Sequence, residues 1–181
     1  MARALVSVGS NLDRETSIRA GLTLVQQQFG RLEISPVYES AAVGIDGPAF
    51  LNLVVGFLTE MPIPTLAAEL RIIESRCGRI RAPSGYGPTG DANETGAWTS
   101  RTLDLDLLTY DDEAYCADGL QLPRDEIERY PFVLKPLLDL EPDGIYRRTG
   151  DRYATLWAGL STSHASISPF PLDLGVYARG E

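Results

Sequence analysis

The chain has 181 residues, 44% of them hydrophobic, with 25 acidic and 16 basic side chains and a net charge of −9 at pH 7. These values describe a globular protein with one sizeable core. The acidic balance argues against a general surface for nucleic-acid backbones, and the lack of an apolar run of about 18 residues argues against a membrane span. The short apolar start, "MARALVSVGSNL", leads straight into a polar turn and does not have the form of a signal segment. A cytoplasmic location is the expectation, with a monomer as the default. Cys77, Cys116 and the single histidine, His164, follow no metal-ligand or nucleophile pattern. Acid or base chemistry then falls to carboxylates, and any metal to oxygen ligands.

In chain order, "RALVSVGSN" reads as a strand entering a tight turn, and "DRETSIRAGLTLVQQQFG" as a helix that Asp13 can cap and Gly30 can end. "RLEISPVYES" is a second strand interrupted by Pro36, which predicts an edge or a bulge. "FLNLVVGFLTE" is nearly continuous in apolar residues and predicts a central strand. In "TLAAELRIIESRCG", Leu66, Leu70, Ile73 and Cys77 keep helical spacing up to Gly78.

The following stretch, "RIRAPSGYGPTGDANETGAW", has no periodicity and reads as a long loop, a length that is usually functional. The next strand, "TSRTLDLDLLTYDD", is followed by "EAYCADGLQL" as its expected hairpin partner. "PRDEIERYPFVLKPLLDLEPD" predicts a helical turn and an apolar segment bounded by prolines, and "DRYATLWAGL" a last helix. The order β-α-β-β-α, followed by the long loop, β-β-α and a final helix, opens as a split βαβ and predicts a ferredoxin-like α+β domain, an antiparallel or mixed sheet covered by helices in three α/β/α layers. One domain is expected over residues 1–160, with 161–181 a loosely attached tail.

"LDLDLL" carries the chemistry. In a strand, Asp104 and Asp106 share one face, roughly 7 Å apart at the backbone, while Leu103, Leu105 and Leu107 share the other. Two neighbouring carboxylates repel unless a cation or water relieves them. An acidic wet face on an ordinary half-buried strand satisfies the same pattern. Arg79 and Arg81 enter the long loop and Arg101 leaves it. Arginine forks match phosphate oxygens, and paired carboxylates suit magnesium, which also takes substrate phosphates. The parts fit a phosphoryl-transfer site, and they also fit arginines that merely pair with the aspartates. The chain carries no GxxxxGK[ST] or GxGxxG loop.

Five ordered segments, "VSVGSNL", "FLNLVV", "IESRCGRIR", "SRTLDLDLL" and "LPRDEIERYPFVLKPLLDLEPD", resemble the 6-hydroxymethyl-7,8-dihydropterin pyrophosphokinases of folate biosynthesis, over roughly residues 3 to 143. The resemblance implies transfer of diphosphate from ATP to the pterin hydroxymethyl group, with release of AMP and two Mg2+ ions held by Asp104 and Asp106. It implies catalytic roles for Arg79, Arg81, Asp104 and Asp106, and ATP binding by Arg79, Arg81, Arg101 and Arg124. It places the pterin between Trp98 and Phe132, with Asn52 on its edge and Ser40, Val43 and Phe50 lining the pocket. Pterin and ATP are the implied small-molecule partners, without nucleic acid or membrane.

Several positions depart from the family pattern. Ala97 stands for a basic residue, Thr99 and Ser100 for Gly-Pro, Arg124 for a histidine and Tyr130 for an arginine. The pterin-pocket turn reads Ser40-Ala41-Ala42, and the loop over residues 82–97 is longer than in compact members. A non-catalytic or altered-substrate relative that binds pterin or nucleotide is the alternative these departures leave open.

Overall fold

The computed structural model describes residues 1–42, 47–78, 102–160, 167–175 and 177. Its elements are β1 (Ala2–Ser10), α1 (Arg14–Phe29), β2 (Glu33–Ile34), β3 (Tyr38–Ser40), β4 (Phe50–Thr59), α2 (Ile63–Arg76), β5 (Asp104–Tyr110), β6 (Tyr115–Ala117), β7 (Leu120–Leu122), α3 (Glu126–Arg129), α4 (Pro131–Leu140), α5 (Tyr153–Leu160) and β8 (Ile167–Pro169). The main sheet runs β5-β1-β4-β3-β8, with β2 also on β4, and its pairings are antiparallel. Taking β2 and β3 as one interrupted strand, β5-β1-β4-β3 is the ferredoxin-like order.

Strand alternation sends apolar side chains to both faces of this sheet. Val6, Val8, Leu53, Val55, Leu105 and Leu107 pack with Ile18, Leu22 and Val25 of α1 and with Leu66, Leu70 and Ile73 of α2. On the opposite face Leu5, Val54 and Leu108 pack with Ile127, Val133, Leu134 and Leu137 and with the rings of Tyr146 and Tyr153. The result is the three-layer arrangement. Gly21 lets α1 approach the start of β5 closely, because a Cβ there would lie 2.6 Å from a Leu103 methyl carbon.

Four local expectations meet a different outcome or a sharper one. Asp13 does not cap α1 through its side chain. It sits at φ 44°, in the left-handed region that Asp tolerates, and its carbonyl accepts the first helical bond from the Ser17 amide. The Pro36 strand divides into β2 and β3. The register passes from Ile34↔Val55 to Tyr38↔Asn52, so one extra residue is accommodated, and the Ser35 hydroxyl accepts the Val54 amide at 2.9 Å.

The segment after β5 is not its hairpin partner. β6 and β7 pair with each other as a separate two-stranded sheet turned by Asp118 and Gly119, both at positive φ. The edge of β5 that faces away from β1 is instead met by helix α2. Within the described part of the last segment, β8 pairs with β3, and Leu172, Leu174 and Tyr177 are buried in the larger core.

Candidate active site

Three neighbouring strands build the site by parity. Register places Asp106 beside Ser7 and Asp104 beside Gly9; Gly9 in turn faces Asn52, and Asn52 faces Tyr38. The face of β1 that carries Ser7 and Gly9 therefore leaves a shallow floor, with two carboxylates on one side and a buried amide on the other. A bulge at Leu108, where Leu5↔Thr109 gives way to Val6↔Leu107, ends this polar row and returns Tyr110 to the opposite core.

The floor belongs to a cavity of about 60 Å³. Its walls include Asp104, Asp106, Arg124, Ser40, Phe50, Asn52 and Phe132, which are the sequence-predicted site residues that lie in the described part of the chain. Arg79, Arg81, Arg101, Val43 and Trp98 fall outside the described residues, as does the long loop. Tyr130, which stands where the family pattern has an arginine, also lines the cavity, as does Glu126, which has no counterpart in the sequence expectation for the site.

Asn52 and Ser40 are both buried, and the Asn52 Nδ2 donates to the Ser40 hydroxyl at 3.0 Å. This bond fixes the amide and leaves its Oδ1 beside Gly9, where a Cβ would lie 3.7 Å away. A buried amide held in this way presents a fixed polar edge to a flat ligand. The Phe132 ring stacks on Tyr130 with centroids 5.1 Å apart. That stack seats Phe132 at the start of α4, half in the smaller core and half in the cavity.

Among the described residues, Arg124 is the basic one in the lining. Its amide donates to the Leu108 carbonyl at 3.0 Å, and its carbonyl accepts the hydroxyl of the fully buried Tyr146 at 3.1 Å. The guanidinium Nη2 donates to Asp106 Oδ1 at 3.2 Å and to Glu126 Oε1 at 3.0 Å. Burial alone would lower the Arg124 pKa, but Asp106, Glu126, Asp104 and Asp125 together raise it. Burial likewise pushes the Glu126 carboxyl upward, and the pull of Arg124 in the other direction is the smaller effect.

Behind the strand, Glu74 of α2 is almost wholly buried, and its Oε1 accepts the amide of Leu105 at 2.8 Å. Leu105 lies between the two aspartates, so α2 grips the backbone that carries them. Glu74 was legible as a carboxylate on the buried stripe of α2, four residues after Leu70. Ser7 and Gly9 were legible as small residues alternating with valines. Glu126 offered no signal beyond its separation of two residues from Arg124.

Among the described residues, the antiparallel sheet of this α+β fold carries two strand carboxylates on the face where Glu126, the buried Arg124 and aromatic side chains complete a cleft, a donor set whose chemistry matches a phosphate-bearing molecule beside a flat one. The model of the 7,8-dihydro-6-hydroxymethylpterin-pyrophosphokinase (HPPK) family matches residues 5–142, and the chain belongs to that family. It is 30% identical over 148 residues to the 2-amino-4-hydroxy-6-hydroxymethyldihydropteridine pyrophosphokinase of Aquifex aeolicus, covering 81% of this chain and 84% of that protein. The Pseudomonas aeruginosa protein of the same name is 32% identical over 145 residues, covering 78% and 82%. The folic acid synthesis protein fol1 of Schizosaccharomyces pombe is 33% identical over 150 residues, which cover 81% of this chain and 19% of that protein. Plasmodium falciparum HPPK-DHPS superposes with a TM-score of 0.67 at 12% identity, over 89% of this chain and 45% of that one, which is a likeness of fold.

Proposed function

We propose that the protein transfers the terminal diphosphate of ATP to the hydroxymethyl group of 6-hydroxymethyl-7,8-dihydropterin. The hydroxyl oxygen bonds to the β-phosphorus, the bond from that phosphorus to the oxygen bridging the α-phosphate breaks, AMP leaves and the hydroxyl proton is released. The observation that carries this reading is the convergence of Asp104, Asp106, Arg124, Ser40, Asn52, Phe50 and Phe132 on one cavity from separate stretches of chain.

The donor set suits magnesium. Among the described residues no group of three or more His, Cys, Asp or Glu side chains could hold a metal, whereas two half-exposed carboxylates on one strand face are the usual protein share of an Mg2+ site. Asp104 and Asp106 would hold the ions, and two ions there would neutralise charge on the transferred group and the leaving oxygen. Phe132 and Phe50 supply apolar walls for the heterocycle, Asn52 and Ser40 its polar edge, and Arg124 a guanidinium for phosphate oxygens.

The test is AMP release from ATP with magnesium and the pterin, for wild type beside Asp104→Ala. Pterin-dependent AMP that disappears in the variant supports the reading. A wild type that binds nucleotide and pterin yet releases no AMP would leave a binding role.

A further inference from the structure

One nitrogen of Arg124 serves two carboxylates on two different elements. Nη2 reaches Asp106 of β5 and Glu126 at the start of α3, while the side chain is only 8% exposed and Glu126 13%. The backbone of Arg124 is held by Leu108 and Tyr146, so the position of its guanidinium depends on what the side chain itself bonds. A cation that engages Asp106 competes with Arg124 for it. With Asp106 as its sole partner, Arg124 would then be a buried charge without compensation, which is strongly unfavourable.

We propose that Glu126 is a positioning residue that retains Arg124 in the cleft when Asp106 turns to a dication, so that the guanidinium stays directed at the diphosphate. This rests on the function proposed above. Among the described residues, Glu126 Oε2 is buried without a hydrogen-bond partner. A carboxylate kept in so unfavourable a place is accounted for by what its other oxygen holds.

The test uses the full chain as wild type, Glu126→Ala, Glu126→Gln, Arg124→Ala and the double variant Arg124→Ala/Glu126→Ala, each first shown to be folded by urea unfolding. ATP affinity is measured by calorimetry in magnesium without pterin, Mn2+ affinity by electron paramagnetic resonance without nucleotide, and KM and kcat by AMP release. Glu126→Ala should weaken ATP and Mn2+ about tenfold each, because Arg124 falls wholly to Asp106. Its KM for ATP should rise while that for pterin stays nearly constant.

Glu126→Gln should lie between wild type and Glu126→Ala, since an amide oxygen still accepts from Nη2, and it keeps the test available if the alanine variant does not fold. In the Arg124→Ala background the Glu126 substitution should add less than about twofold. An effect of full size in that background, or unchanged ATP affinity in Glu126→Ala, would overturn the inference. The expected binding pattern in a wild type that makes no pterin-dependent AMP would uphold the inference and overturn the catalytic reading instead.

Discussion

The Glu74 carboxylate accepts the Leu105 amide at 2.8 Å inside the protein, on the edge of β5 that no strand covers among the described residues. A carboxylate on α2 thus does what a neighbouring strand would do, and it acts between the two aspartates of the site. Glu74→Ala leaves that amide without its acceptor, and a buried donor in this state costs about 1–3 kcal/mol. Glu74→Gln keeps an acceptor and should recover part of the loss. Urea unfolding of the two variants checks this, and equal losses would show that the charge of Glu74, rather than its acceptor, stabilises the strand.

Asp104→Ala and Asp106→Ala should remove activity by at least about 10²-fold with unfolding midpoints close to wild type. Both side chains are half-exposed on the polar face of β5, and the apolar packing of this stretch rests on Leu103, Leu105, Leu107 and Leu108. A variant that unfolds cooperatively at much lower urea would assign these carboxylates a structural role.

Gly9→Ala tests the floor of the cleft. The new methyl group would stand 3.7 Å from Asn52 Oδ1 and 3.9 Å from Asp104 Cβ, ordinary contact distances that the fold accepts. Alanine in a strand interior is favoured over glycine by about 0.5–1 kcal/mol, so stability should hold or rise. The methyl group takes space between the carboxylates and the amide, so pterin affinity should fall several-fold, while ATP affinity measured without pterin changes less. Calorimetry with each ligand separates the two.

The link between β1 and β2 predicts an acid response. Arg3 donates to Glu33 through both terminal nitrogens, at 2.7 and 2.8 Å, and to Glu141 at 2.5 Å. The bond from Arg3 holds the Glu33 carboxyl below its ordinary value, against the opposing effect of burial. A carboxyl with a lowered folded-state pKa stabilises the fold above its unfolded pKa and loses that contribution as pH falls through the folded value. Glu33→Gln should therefore be less stable than wild type at pH 7, and the gap should close as pH falls through the ordinary carboxyl range and then through the lowered folded value. Glu33 is partly exposed, so the gap is small and shrinks further in salt. A gap that stays constant across this range would show that Glu33 stabilises by packing.

Much of the fold was legible because its signals are local. The alternation in "LVSVGS" and "LDLDLL" reports which residues share a face, since side-chain direction along a strand depends only on parity. The 3.6-residue stripe of α2 and the β-α-β-β-α-β order were legible for the same reason. The bulge at Leu108 was not: it interrupts the alternation without changing the composition of an apolar run. The core role of Leu172, Leu174 and Tyr177 was equally hidden, because an irregular segment is placed by the surface it covers.

Within the site, the sequence alone determined that Asp104 and Asp106 lie side by side and face away from the leucines, and the ordered motifs around them determined the family. The tertiary structure decided that Arg124 shares one nitrogen between Asp106 and Glu126, and that Glu74 holds the strand from behind. The contacts of Arg124 with Asp106 and of Glu74 with Leu105 join residues 18 and 31 positions apart in the chain. Local propensity has no influence over such distances, and only the packing of helices onto the sheet brings the partners together.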